Sequence, residues 1–182
     1  MRQNREGPPL PAWHRWAERD RNWSLLLYRA SARPLLVRML VAVSWLSNGK
    51  LWYSIILGLP WLAPVQGTAC ALRMVLLGGT NLLIYTILKR HFARPRPFVG
   101  CPGVQACARA LDEFSFPSGH VLHAIGFSSL LVAYFPALAW VLWPFAMLVA
   151  LSRVVLGLHY PSDVAVGALL GWLMAHTILL LF

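Results

Sequence analysis

The chain has 182 residues, 58% of them hydrophobic and only 12% charged, with 16 Lys and Arg against 6 Asp and Glu and a net charge of +10. Soluble domains are roughly 45–50% apolar and about 25% charged, so these numbers argue against a soluble bundle, which would lack a polar outer face, and for an integral membrane protein. The cations fall in two blocks, eight Arg within residues 1–38 and four Lys or Arg within 89–96, which is not the distribution along exposed faces that a nucleic-acid binder shows.

Residues 1–32 form a basic N-terminal segment. Residues 1–9 are rich in Pro and charge and read as an interfacial arm or a tail. Residues 10–30 mix acids and Arg with Trp13, Trp16 and Trp23 and contain no clean apolar core. That pattern is unlike a cleavable signal and predicts an amphipathic helix in the membrane interface. Its Arg content places it on a cytoplasmic surface of anionic lipid.

Six apolar runs follow, at about 33–47, 51–64, 69–89, 118–135, 137–157 and 162–182. A helix needs about 20 residues to span hydrocarbon. The last four runs qualify. The first two are short and need flanking residues, or pack beneath the interfacial helix. The fold expected for residues 33–182 is an all-α polytopic bundle of about six transmembrane helices, with five as the alternative. Gly167 and Gly171, four apart in the last run, allow close helix packing, and Gly78 and Gly79 are read the same way.

Three polar clusters stand at the ends of these runs: "KRHFARPRP" (89–97), "FPSGH" (116–120) and "SRVVLGLHYPSD" (152–163). If the N-terminal segment is cytoplasmic and each run is one crossing, all three clusters emerge together on the extracytoplasmic face. The loop of residues 90–116 would lie there too, with Cys101 and Cys107. In an oxidising space those two could close a small disulfide; two free thiols are the alternative. Cys70 reads as a small buried residue.

Together the clusters gather several cations and two His around one acid, which suits a tetrahedral phosphate. Lys89 ends a helix, where the dipole favours a cation. Pro95 and Pro97 hold Arg94 and Arg96 out of helical geometry, and Arg is the planar, bidentate partner of phosphate. Ser118 is a good N-cap. Gly119 lets a ligand approach the helix start, where free N–H groups favour an anion, and His120 projects from that first turn. Arg153 is costly near a span end unless an anion meets it. His159 and Asp163, four apart, are spaced for an Asp that fixes one ring nitrogen and leaves the other free to attack. His123 reads as core or as support for the site; His91 and His176 read as interfacial. Taken alone, each cluster is equally a basic lipid-facing flank, a capped helix or a stray His.

The order and spacing K-x6-R-P (89–97), P-S-G-H (117–120) and S-R-x5-H-x3-D (152–163) resemble the three-part signature of the type-2 phosphatidic acid phosphatase superfamily, which includes bacterial acid phosphatases and vanadium haloperoxidases. Every signature position is filled between residues 89 and 163. By that resemblance His159 would attack phosphorus and form a phosphohistidine, Asp163 would orient it, and His120 would protonate the leaving oxygen. Lys89, Arg96, Ser118, Gly119 and Arg153 would hold the phosphoryl oxygens. No metal or other cofactor is implied. The membrane setting points within that family to a lipid phosphatase acting on phosphatidate, phosphatidylglycerophosphate or undecaprenyl diphosphate in a bacterial inner membrane. A lipid phosphotransferase and a non-catalytic lipid-binding scaffold are the alternatives. Partners expected are the bilayer and a phosphorylated lipid, not nucleic acid.

Overall fold

The structure, a computed structural model, describes residues 12–182, with side chains from residue 16 onward. Residues 1–9, read above as arm or tail, lie outside the described residues. Eight α-helices follow: α1 (Ala12–Tyr28), α2 (Pro34–Leu46), α3 (Lys50–Leu62), α4 (Pro64–Phe92), α5 (Pro97–Gly100), α6 (Gly119–Tyr134), α7 (Ala139–Val155) and α8 (Pro161–Leu181). No strand occurs among the described residues. The all-α membrane bundle expected from composition is what forms. The six apolar runs are α2, α3, α4, α6, α7 and α8, with ends within a few residues of those expected. Only the third run differs by more, because α4 starts at Pro64 rather than near residue 69.

α2 and α3 have 13 residues each. At 1.5 Å per residue each is about 20 Å long, short of a hydrocarbon core of about 30 Å. They solve this jointly. α2 packs on α7 and α3 on α4, while the two scarcely touch each other. Leu40 of α2 clusters with Val155, Leu156 and Leu158, and Ser44 Oγ accepts from Arg153 Nη1 at 2.5 Å. α2 therefore runs from the site's face into the bundle alongside the end of α7. α3 continues in the same sense and turns at Ala63 into α4. The break between them is Ser47–Asn48–Gly49, where Gly49 holds φ 99°, a value that favours glycine. α2 and α3, each too short to span alone, thus run one after the other down one side of the bundle, beside the three helices that are long and apolar enough to cross by themselves among the described residues.

The contacts of α1 fix which face it lies on. Asp20 of α1 accepts from Ser162 N at 3.0 Å and from Ser162 Oγ at 2.5 Å, at the start of α8, and Tyr28 Oη accepts from Gln105 N at 3.2 Å. The helix lies on the site's own face, not the opposite one expected from parity.

The most extensive packing joins α6 to α8, and glycine is the reason. A Cβ on Gly171 would lie 2.2 Å from Leu122 O, and one on Gly167 would lie 2.7 Å from Ser118 O. Neither contact is possible for a real side chain, so only glycine admits this approach. Gly78 packs against Phe127, as a close-packing residue should, but nothing of the protein lies within 4 Å of a Cβ on Gly79, which faces open space instead.

Candidate active site

The first cluster is shaped by the end of α4. Lys89 sits in its last turn, and Ala93 stops the helix in a left-handed conformation, φ 42° and ψ 36°. Residues 93–96 are then non-helical, as the two prolines dictate, with Arg96 extended at ψ 157° before Pro97 opens α5. The two arginines of this turn part company. Arg96 is buried and points inward; its Nη1 lies 3.2 Å from His159 Nε2 and donates to Leu158 O at 2.8 Å. Arg94 turns away. It donates from Nη1 to Asp163 Oδ1 and Ser162 Oγ, and from Nη2 to Asp20 Oδ2, each at 2.7 Å.

The third cluster folds back on itself where α7 ends. Leu158 N and His159 N both donate to Arg153 O, at 3.1 and 3.0 Å, which sets His159 beside Arg153. Pro161 starts α8, and Asp163 Oδ2 accepts from Tyr160 N at 2.9 Å to cap it. Ser118 N donates to Asp163 O at 3.1 Å, and this bond ties the second cluster to the third.

These turns bring Lys89, Arg96, Gly119, His120, Arg153 and His159 onto one cavity of about 730 Å³. His120 and His159 therefore open to the same mouth. Lys89, Arg96, Arg153 and His159 are all buried. Arg153 makes no ion pair among the described residues, and its Nε has no hydrogen-bond partner. A buried guanidinium without an anion is expensive, and it faces a cavity that can hold one. A Cβ on Gly119 would meet only the Tyr85 ring, at 3.7–3.9 Å. The protein tolerates a side chain there, so the bare backbone serves the cavity. The N–H groups at this helix start have no acceptor within the helix.

Two expected site residues do not line the cavity itself. Ser118 is behind the cavity wall, not on it; its Oγ is buried, caps nothing and has no partner. Asp163 is likewise behind the wall. Its Oδ2 lies 3.7 Å from His159 Nδ1, too long for a hydrogen bond, because that oxygen is engaged by Tyr160 N. His123 is on the wall, donating from Nδ1 to Gly119 O at 2.8 Å.

Two acids were not anticipated. Asp112, from the coil between α5 and α6, accepts at Oδ1 from Lys89 Nζ at 2.5 Å and from Arg96 Nη2 at 2.8 Å. Burial works against its carboxylate, but Lys89 and Arg96 outweigh burial and hold it below the ordinary range. Asp20 is the other, bound through Arg94 to Asp163. Nothing in sequence spacing marks either acid: one lies in a coil, the other in an amphipathic helix where acids are commonplace.

Electrostatics suit His159 to attack. Burial, and then the positive Arg153, Arg96 and Lys89, push its ring well below the usual value of 6.5. It is neutral at pH 7, and with a proton on Nδ1 toward Asp163 its Nε2 lone pair faces the cavity beside Arg96 Nη1, 3.2 Å away.

The rest of the cavity is apolar. It runs from the cations down between α3 and α4, walled by Trp52, Ile56, Leu57, Met74, Val75 and Leu82. Leu57, Val75 and Leu82 are also exposed on the bundle's outer surface, by 72%, 58% and 52%, so this wall opens sideways at the depth of the bilayer.

The profile of the PAP2 superfamily matches residues 69–182. The chain belongs to the PAP2 superfamily. It is 32% identical over 113 residues to undecaprenyl-diphosphatase BcrC of Bacillus subtilis, a match covering 62% of this chain and 58% of that one. Among solved structures it is similar to the PAP2-type phosphatidylglycerolphosphate phosphatase of Bacillus subtilis, with a TM-score of 0.72, 26% identity and coverage of 89% of this chain and 83% of that one. It is similar too to Aquifex aeolicus LpxE, with a TM-score of 0.73, 26% identity and coverage of 85% and 93%. The sequence matches to curated PAP2 relatives span about half of their length, between 39% and 58% for the first three.

Proposed function

We propose that this PAP2 protein is a lipid phosphatase that removes a phosphoryl group from a membrane-embedded phosphomonoester or diphosphate through a phosphohistidine. The observation that carries this reading is the shape of the cavity: a cluster of buried cations with His120 and His159 at one end, and an apolar wall open to the bilayer at the other. A phosphorylated head fits the first and a lipid tail the second.

In the first step His159 Nε2 attacks phosphorus, the P–O bond to the lipid breaks, and His120 gives its proton to the departing oxygen. The imidazolium so formed draws Nδ1–H toward Asp163, closing the 3.7 Å gap; such bonds are often long until the transition state forms. In the second step water attacks the phosphohistidine, His120 takes its proton, the P–N bond breaks and inorganic phosphate leaves. Lys89, Arg96, Arg153 and the Gly119 amide stabilise the charge on the transferring group. Asp20, Asp112 and Asp163 are each already engaged by Arg or Lys, which supports a reaction run on fixed cations rather than on metal ions. Residues 33–182 are the catalytic unit in this reading, with 1–32 an interfacial segment that lends Asp20.

The relatives' names nominate undecaprenyl diphosphate and phosphatidylglycerophosphate as substrates, beside phosphatidate. Purified protein is assayed against all three for phosphate release, with His159→Ala as the control. Release by the wild type alone, with radiolabel trapped on the protein, is the expected result. Turnover by His159→Ala at the wild-type rate ends the nucleophile assignment. Transfer to a second lipid in place of phosphate release identifies a phosphotransferase.

We also propose a bacterial cytoplasmic membrane, with the site on its cytoplasmic face. The extracytoplasmic placement rested on α1 lying opposite the site, and α1 does not. What supports the cytoplasmic face is charge. Arg19, Arg21, Arg29, Arg33, Arg90 and Arg109 are exposed on the site's half. At the other end the turns 60–68 and 134–141 hold exposed Trp61 and Trp140 in the manner of an interfacial aromatic belt, and the one cation that reaches them among the described residues is Arg73, over the Tyr134 ring and against Phe182 O. Lys and Arg concentrate on the cytoplasmic side. Alkaline phosphatase fused after α8 should then be active and a fluorescent protein dark; the reverse pattern places the site outside.

A further inference from the structure

We propose that Asp112 is an intramolecular stand-in for the substrate's phosphate: its carboxylate occupies the subsite between Lys89 and Arg96 and must leave before a phosphoryl group can enter. One oxygen, Oδ1, accepts from both cations, at 2.5 Å from Lys89 Nζ and 2.8 Å from Arg96 Nη2. A phosphoryl oxygen would take that place. The guanidinium that holds Asp112 through Nη2 reaches His159 Nε2 through Nη1, at 3.2 Å. The carboxylate and a phosphorus under attack by Nε2 therefore compete for the same arginine. Asp112 lines the same cavity as both histidines.

The segment is built to let go. The Asp112 side chain is 38% exposed, against 6% for Lys89 and 2% for Arg96, so the acid stands at the mouth and its cations within. The coil is pinned by Cys107 N to Leu156 O at 3.1 Å and by Ser115 N to Arg94 O at 2.9 Å. Between those pins, residues 108–114 make no backbone–backbone hydrogen bond among the described residues, and Leu111 is exposed by 58%. What else holds the segment comes from the same two cations, Lys89 Nζ to Phe114 O at 2.8 Å and Arg96 Nε to Asp112 O at 3.1 Å. A ligand that takes over Lys89 and Arg96 therefore also competes for the bonds that keep the segment in place, and seven residues can then swing outward without breaking a helix. Without a ligand the acid neutralises two buried cations that would otherwise repel each other. With a ligand it becomes a like charge beside the phosphate. The segment thus acts as a threshold: a head group displaces it only by making more contacts to Lys89 and Arg96 than one carboxylate does, which a phosphomonoester with three terminal oxygens can and a second carboxylate cannot.

This rests on the phosphatase reading only for the identity of the ligand, and it is tested by binding rather than turnover. The probe is inorganic phosphate, titrated calorimetrically into detergent-solubilised protein. Asp112→Asn keeps the shape and removes the competing charge. Its Kd for phosphate is expected to fall about tenfold, or ~1.4 kcal/mol, while Glu113→Gln, which removes a neighbouring acid that makes no ion pair, leaves Kd unchanged. If Asp112 only positions Lys89 and Arg96, Asp112→Asn weakens phosphate binding, and that result overturns the proposal. An equal gain from Glu113→Gln also overturns it, because the effect is then one of general charge. Amide exchange in the wild type needs no variant: saturating phosphate should raise exchange across residues 108–114, and unchanged or slower exchange there refutes displacement. Absence of lipid turnover alongside tighter phosphate binding in Asp112→Asn would sink the phosphatase reading and leave this one standing.

Discussion

Arg94 offers the sharpest test of how the site is held, because its sequence neighbourhood suggests a phosphate ligand and its geometry a different role. Its guanidinium bonds Asp163, Ser162 and Asp20 at 2.7 Å each. The Asp163 side chain is fully buried, that of Asp20 is 10% exposed and that of Arg94 27%. Arg94→Ala removes the guanidinium that pairs with buried Asp163, whose remaining backbone donor is Tyr160 N, and takes away one of the ties between α1 and the start of α8, leaving the direct Asp20–Ser162 bonds. Removing one member of a buried ion pair costs about 3–5 kcal/mol; with Arg94 a quarter exposed, solvent screens part of this and a loss of about 2–3 kcal/mol is the reasonable figure. For a chain of this size that is a fall in Tm of roughly 5–10 °C. The assay is thermal unfolding in detergent together with steady-state kinetics on the lipid substrate. Because Arg94 acts on Asp163 and not on phosphate, kcat should drop while KM stays within about twofold, a split that marks a group acting in the transition state. Arg94→Lys keeps the charge without the fork and should recover part of the stability. An unchanged Tm with a raised KM would falsify the account and return Arg94 to the phosphate.

Three further outcomes follow from other parts of the molecule. Gly171→Ala places a Cβ 2.2 Å from Leu122 O; forced separation of α6 and α8 should cost about 1–3 kcal/mol in unfolding free energy, and an unaltered Tm would show that the two helices are not locked. The folded pKa of His159 is lowered, so the residue stays neutral as pH falls through 6.5 while its unfolded counterpart gains a proton. Stability from this source is therefore present above about pH 6.5 and lost as pH falls below it. An NMR titration of the ring should show no midpoint at or above 6.5, and one there contradicts the burial. Cys101 Sγ faces Tyr160 Oη at 3.5 Å and Cys107 Sγ faces Tyr28 Oη at 4.0 Å, and both thiols are free. Reducing agent should leave Tm unchanged and gel mobility the same; a reductant-sensitive shift would mean that they pair.

The helices of this fold are legible from the run lengths alone, because a bilayer sets one length scale and the apolar runs either meet it or fall short. The runs at 33–47 and 51–64 fell short, and that was the warning: neither can cross alone, and only packing shows that they run one after the other. The side on which α1 lies is likewise set by packing, through Asp20 and Ser162, and not by run lengths. Lys89, His120, Arg153 and His159 converge because each stands at a helix end, where sequence marks position well. Arg94 and Arg96, two residues apart and each before a proline, look alike in sequence; their opposite directions are set by the left-handed Ala93 and the extended Arg96. Asp20 and Asp112 had no pattern to betray them, because an acid becomes part of a site only through the cations it meets.

The glycine-locked seam between α6 and α8 divides the molecule's work. His120 rides on one helix of that seam and His159 at the foot of the other, so the spacing of the two groups proposed to react is fixed where two backbones touch and has no room to vary. The opposite wall, built from a chain break and a half-length helix, has no such constraint. Changes of lipid preference should therefore accumulate along α3 and its facing side of α4, while the reacting pair keeps its geometry unaltered across whatever tails that wall learns to hold.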